Sequence, residues 1–228
     1  MRQATAIMAA LALSAGAASA QQFTAVHAPP GTEKSHAQIL SSALGGTFNA
    51  SGARDYSNGS ILADRNRDSG GVHDQVWQPG RYTLTMVARE AGYTHTFGYV
   101  RGGAQNLHTF EGLLRSDEIG SSVSVDIGTA FRWAIQNDEA FGGHLFTSRD
   151  KDNPSDFDHM TSYQLLRGGN LFGYALFFED LKKHHSDKDY NDVAVILTLV
   201  PTPQAAMMGL TGLGGLGLLA GRRRRETM

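Results

Sequence analysis

The sequence predicts an all-β fold, a β-sandwich or jelly roll led by a short helix. Three observations carry that prediction. From Arg81 onward, apolar and polar residues alternate with period two, as in half-buried strands. Glycine is frequent, 27 residues against 6 prolines, which suits many tight turns. Val193 to Val200 is almost wholly apolar, as in a central strand covered on both faces.

Each element follows in chain order. Residues 21–31 read as a flexible lead. Ser35-His36-Ala37-Gln38 has capping-box spacing, Ile39, Leu40 and Leu44 supply an apolar face, and Gly45-Gly46 stops the helix. Residues 47–71 are polar and rich in Gly, Asn and Ser, so loops and an edge strand are expected. Tyr82, Leu84, Met86 and Ala88 alternate with Thr83, Thr85, Val87 and Arg89 as a strand, and Ala91-Gly92 turns the chain. Further strands are expected over Thr94–Val100, Ser121–Ile127, Phe131–Ile135, Gly143–Ser148, Met160–Leu166, Leu171–Phe178 and Val193–Val200. About eight short strands with Gly turns suit a sandwich or jelly roll. Neither an internal repeat nor a domain boundary is visible. Trp77, Tyr82, Tyr93, Phe97, Tyr99, Phe131 and Trp133 at strand spacing read as core, with a sugar-binding face as the alternative.

The two ends read as addresses. Arg2, an apolar stretch from Ala4 to Leu13 and Ala18-Ser19-Ala20 form a secretory signal pattern over 1–20, with cleavage expected after Ala20. At the other end, Pro201-Thr202-Pro203 precedes an apolar run from Ala205 to Gly221 and then Arg222 to Arg225. The run is at the short end of what spans a bilayer, and the arginines would hold the tail on the cytoplasmic side. This three-part end over 201–228 resembles the PEP-CTERM sorting signal of Gram-negative bacteria. The resemblance implies export, a transient transmembrane helix in the inner membrane, processing by an exosortase and release to the cell surface. One position departs from the family: its central Glu is Thr202 here. A permanent anchor is the alternative.

Without its ends the chain keeps 15 basic and 21 acidic residues, a net charge of −6. That excludes a basic nucleic-acid binder and favours divalent cations as partners. Cysteine is absent, which excludes disulfides, Cys-type zinc sites and thiol nucleophiles.

The acids are unevenly spread. Residues 150–192 hold nine of them: Asp150, Asp152, Asp156, Asp158, Glu179, Asp180, Asp187, Asp189 and Asp192. Asp187, Asp189 and Asn191 stand at every second position. A looping D-x-D-x-N can turn three side-chain oxygens toward one point, and Ca²⁺ takes six to eight oxygens. An EF-hand is excluded, because Asp192 and Thr198 stand where its Gly and Glu belong. A β-type calcium loop fits better, with Glu179 and Asp180 arriving from the preceding strand end. The plain alternative is a solvated acidic turn.

Phe178-Glu179-Asp180-Leu181 followed by Asp187-x-Asp189-Tyr190-Asn191-Asp192-Val193 resembles the signature of the Domain of Unknown Function 4114 family. That family is common in bacterial exported and PEP-CTERM proteins. Asn153, Asp156, Asp158 and His159 are similar to its preceding N…D…D-H element, and Asp74 to Trp77 and Ala91 to Tyr99 resemble members carrying the sorting tail. The resemblance covers most of 74–200 and only loosely 21–73. It implies calcium binding or an enzymatic role without choosing between them. The candidate metal ligands are therefore Glu179, Asp180, Asp187, Asp189, Asn191, Asp192 and Asp158.

Rival readings are weaker. Glu179 with Asp187 or Asp189 could form a glycosidase pair, but clustering suits a cation better than two separated roles. The nine histidines form no H-E-x-x-H motif, and His159 suits packing or support of ligands. Asp64 to Gly70 resembles a slipped EF-type loop and reads as a plain turn, with Gln75 at the twelfth place. The expected protein is an exported structural or adhesive component of an exopolysaccharide or biofilm layer, organised by Ca²⁺. A carbohydrate-active hydrolase and a lectin-like glycan binder are the alternatives.

Overall fold

The computed structural model describes residues 23–67, 75–102, 109–138 and 143–199. The expected signal peptide and sorting tail lie outside them. Among the described residues, no helix is long and apolar enough to cross a membrane.

The described residues form one α-helix, two short 3-10 helices (Asp150–Asp152 and Pro154–Asp156) and two antiparallel sheets. Helix α1 spans His36–Leu44, and its capping box is present, with the Ser35 amide donating to Gln38 Oε1 at 2.8 Å. The strands are β1 (Asn49–Ala50), β2 (Tyr56–Ser57), β3 (Ile61–Arg65), β4 (Gly80–Arg89), β5 (His95–Arg101) and β6 (Phe110–Arg115). They continue with β7 (Ser122–Ile127), β8 (Phe131–Asn137), β9 (Leu145–Thr147), β10 (Met160–Arg167), β11 (Asn170–Phe178) and β12 (Val193–Leu199). The large sheet runs β1-β2-β3-β10-β11-β12-β4-β7, and the small one runs β6-β5-β8-β9.

The large sheet is covered on both faces over its middle strands, while Ser122 and Ser124 of β7 face solvent. Its alternate side chains Tyr82, Leu84, Met86, Leu176, Phe178, Val193, Val195 and Leu197 pack with Phe97, Tyr99, Phe131 and Trp133 of the small sheet. Trp133 sits among Phe131, Phe97 and Tyr82 at centroid distances of 4.7, 5.3 and 5.6 Å. The aromatics thus form core, with Tyr93 the exception at the surface. On the opposite face, Ala175, Phe177, Ala194 and Ile196 pack under Ile39 and Leu40 of α1. This explains the nearly continuous apolar run of β12, which lies between β11 and β4.

Two expectations need correction. The 47–71 region supplies three strands, and β3 is interior, paired with both β2 and β10. Strand β6 was not expected. It lies at a sheet edge, Leu114 is its one buried side chain, and Gly112 interrupts the pattern, so no apolar alternation marks it. Its partner strand needs Gly98, because a Cβ there would strike the Glu111 carbonyl.

The helix is fastened to the acidic end of the sheet by a buried histidine. His36 is stacked on Phe177 at 3.9 Å. Its Nε2 lies 3.0 Å from the Tyr190 carbonyl and its Nδ1 lies 2.9 Å from the Tyr163 hydroxyl. A carbonyl can only accept, so Nε2 donates and Nδ1 accepts from Tyr163. Burial drives this imidazole down to about 3, with the Tyr190 carbonyl opposing only in part. As pH falls below about 6.5 the unfolded chain takes up a proton that the folded ring refuses, so folded-state stability is lost from there downward. Urea unfolding of wild type and His36→Gln should show it. The stability advantage of wild type is expected to shrink by on the order of 2–3 kcal/mol between pH 7.5 and 4.5. A pH-independent difference would contradict this role.

Candidate metal centre

The acidic site sits at one end of the large sheet, where β11 runs out and β12 begins. The connection spans 179–192 and contains no helix or strand. Connections of that length without secondary structure are uncommon and are usually functional. Strand pairing sets its base: Met160 pairs with Phe178, and the Glu179 amide continues the ladder to the His159 carbonyl at 3.0 Å. His159 Nδ1 lies 2.9 Å from the Glu179 carbonyl, so both backbone groups of Glu179 are held by one neighbour.

The loop backbone changes hand at alternate residues. Lys188 and Tyr190 have φ of 64° and 57°, between Asp187, Asp189 and Asn191. Positive φ is costly for a bulky residue such as Tyr. Tyr190 is held there by its fully buried ring, by its hydroxyl donating to the Asp158 carbonyl at 3.0 Å and by its own carbonyl on His36.

Two groups of carboxylates result, each with one oxygen per residue within 4.8 Å of the others. One is Glu179, Asp180 and Asp192; the other is Glu33, Asp187 and Asp189. These clustered carboxylates could bind a metal ion. Glu179, Asp180, Asp189 and Asn191 are 1%, 4%, 2% and 1% exposed, so they are not a solvated turn. Glu179 Oε1, Asp189 Oδ2 and Asn191 Oδ1 are buried without a hydrogen-bond partner. Their other atoms are occupied. Glu179 Oε2 accepts from the Lys188 amide at 3.1 Å, Asp189 Oδ1 from the Asn191 amide at 3.2 Å, and Asn191 Nδ2 donates to the Lys34 carbonyl at 3.1 Å. Asp192 Oδ2 accepts from the Asp180 amide at 2.8 Å. Among the described residues, the one charged-type partner is His95, whose Nε2 lies 3.0 Å from Asp180 Oδ2.

The electrostatics follow from this crowding. Burial pushes Glu179 up to about 7, and Asp187, Asp180 and Asp189 add to the rise, while a hydrogen bond from Ser186 opposes it. Burial likewise pushes Asp189 up to about 7, with Asp187 and Glu33 adding to it and the Asn191 amide opposing. Asp192 is raised by burial first and then by Asp180 and Glu179. Negative charge is concentrated here without a matching cationic side chain.

Six of the seven expected ligand residues therefore share this one loop, five with carboxylates and Asn191 with its amide. Asp158 is not among the gathered carboxylates. It accepts from the Thr24 hydroxyl at 2.6 Å and the Met160 amide at 3.1 Å and fastens the start of β10. Asn153 and Asp156 are also apart: Asn153 ties Thr147 to Phe157, and Asp156 is exposed. Glu33 is the residue that spacing could not reveal, since it arrives from the far end of the chain. Asp64 lies within β3 rather than in a calcium-type loop.

No protein-family model matches the chain, and no curated protein is similar enough in sequence to count as a match. The functional reading therefore rests on the site.

Neutralising one carboxylate without a metal should relieve strain. In excess EDTA at pH 8, Glu179→Gln is expected to be more stable than wild type by on the order of 1–2 kcal/mol in chemical unfolding. Equal stability would mean that the Glu179 charge is not under stress.

Proposed function

We propose that this is an exported bacterial protein whose β-sandwich domain is organised by Ca²⁺ bound in the 179–192 loop, acting as a structural or adhesive component of the exopolysaccharide or biofilm layer. The observation that carries the cation reading is the set of buried, donor-less oxygens Glu179 Oε1, Asp189 Oδ2 and Asn191 Oδ1 beside Asp180 and Asp192. Calcium is favoured over softer metals because the donors are carboxylate and amide oxygens. It is favoured over Mg²⁺ because an irregular loop suits the higher and looser coordination of Ca²⁺. Export, exosortase processing and a transient stay in the inner membrane are supported by the resemblance of 1–20 and 201–228 to sorting signals. The matrix role rests on the same resemblance and on the acidic, cysteine-free composition.

A hydrolase is less well supported. Glu179 falls in one carboxylate group and its nominated partners Asp187 and Asp189 in the other, and crowding of three acids at each point suits a cation better than an acid and a base in separate roles. Glu179 is also 1% exposed, so its carboxyl cannot reach a glycosidic oxygen unless the loop opens.

A lectin-like reading is favoured by one observation. A cavity of about 490 Å³ opens beside Asp180 and is lined by Tyr93, Phe146, Leu181, Asn137 and His144. Its size suits a small ligand, and half-exposed Tyr93 offers a face for stacking on a sugar. Trp77 and Trp133 are buried and cannot serve. Under this reading, Tyr93→Ala weakens retention on immobilised exopolysaccharide while leaving thermal stability unchanged; unaltered retention would remove it.

The cation reading is tested by thermal unfolding of the purified protein after EDTA treatment. For a site of about 10 µM affinity, about 1 mM Ca²⁺ adds roughly 2.7 kcal/mol of stability. The shift is expected to shrink in Asp189→Ala, to vanish when Asp192→Asn is added to it, and not to be reproduced by Mg²⁺. No shift in wild type would overturn the reading.

A further inference from the structure

The N-terminal lead expected to be flexible is instead laid across the acidic loop. The His27 amide donates to the Lys188 carbonyl at 2.9 Å, and His27 Nδ1 lies 2.9 Å from the Asp187 carbonyl. The Thr24 hydroxyl reaches Asp158, and Arg65 donates to the Thr24 carbonyl at 3.3 Å. Lys34 accepts from Asn191 through its carbonyl and pairs with Glu90 at 3.2 Å through its ammonium. Every one of these contacts joins residues 24–34 to positions at least 41 residues away. The strap also walls a cavity of about 570 Å³ that includes Val26, His27, Arg54 and Asp189.

At the end of this strap stands Glu33, beside Asp187 and Asp189. Three acids converge, and no lysine or arginine among the described residues forms an ion pair with any of them. An acidic group alone would not make a site. Here Asp189 is 2% exposed and its Oδ2 has no donor, so a buried oxygen is left in the group unsatisfied. The Asn191 side chain reaches the same strap one residue after Glu33 and leaves Oδ1 free. Those are hard oxygen donors of the kind an oxygen-seeking divalent cation takes, and the neighbouring cavity offers a way in.

We infer that Glu33, Asp187 and Asp189 form a second divalent-cation site, separate from the Glu179–Asp180–Asp192 site, and that its ion fastens the N-terminal strap onto the 179–192 loop. The inference rests on the cation reading of the loop. It adds the number of ions, the ligand from the lead and a consequence for the strap. Without the ion, Glu33 is repelled by the two aspartates, and over Asp187 and Lys188 the strap holds only by the hydrogen bonds of His27 to their carbonyls. With it, the first described residues and the last hairpin are joined through one charge centre.

The test counts Ca²⁺ bound by the purified full chain, by competition with a chromophoric chelator, and follows hydrogen exchange at the His27 amide. Wild type is expected to bind two ions and to slow His27 exchange by at least about an order of magnitude when calcium is added. Glu33→Gln is expected to bind one ion and to lose that slowing. Asp187→Asn, at an exposed position, serves as the second variant and should behave alike. One ion in wild type, with Glu33→Gln unchanged, would overturn the second site and leave the loop site standing. No ion at all would overturn both.

Discussion

The acidic end of this protein is governed by the burial of carboxylate oxygens that have no proton donor. Glu179 Oε1 and Asp189 Oδ2 are removed from water and face other carboxylates. Such groups are costly to bury as anions, and in the absence of a counter-charge they hold protons toward neutral pH instead. A polypeptide could avoid this by letting the loop swing into solvent. It does not, because Tyr190 at the loop's centre is locked into the core by its ring, its hydroxyl and its carbonyl. The same residue that forces the unusual backbone keeps Asp189 and Asn191 inside.

The rest of the fold supports that constraint. The large sheet ends two of its interior strands, β11 and β12, side by side, so the 179–192 connection begins and ends on rigid backbone. The small sheet covers one face and α1 the other, which leaves the loop end as the place where the interior meets polar chemistry. His36 couples the helix to the loop through Tyr190, and the strap carrying Glu33 crosses above it. A divalent cation would neutralise charge at a point where four separate parts of the chain already meet: the strap, the helix start, the entry to β10 and the last hairpin.

Much of this was legible in the sequence where local chemistry decides. Ser35 and Gln38 marked the helix start, and β12 announced its two covered faces by an apolar run from Val193 to Leu197. The alternation in Tyr82, Leu84 and Met86 gave the facing side chains directly. The D-x-D-x-N spacing found the loop, because its ligands lie within a few residues of one another. What local patterns could not give is pairing over distance. Glu33 reaches Asp187 only through tertiary folding, and nothing near it in sequence marks it as a ligand. Asp158 is close to the loop in space but is satisfied by Thr24 and the Met160 amide, a competition for its oxygens that spacing does not show. His36 could have been placed, since it shares a helix face with Ile39 and Leu40. Edge strand β6 could not, because with one side exposed it buries too little to leave a pattern.

The most direct measurement is a long-wavelength anomalous difference map from crystals grown with Ca²⁺. The account predicts density at the Glu179, Asp180 and Asp192 carboxylates, with oxygens about 2.3–2.6 Å from the ion. A map without a peak there, in which Glu179 Oε1 and Asp189 Oδ2 instead share protons or bind ordered water, would contradict it.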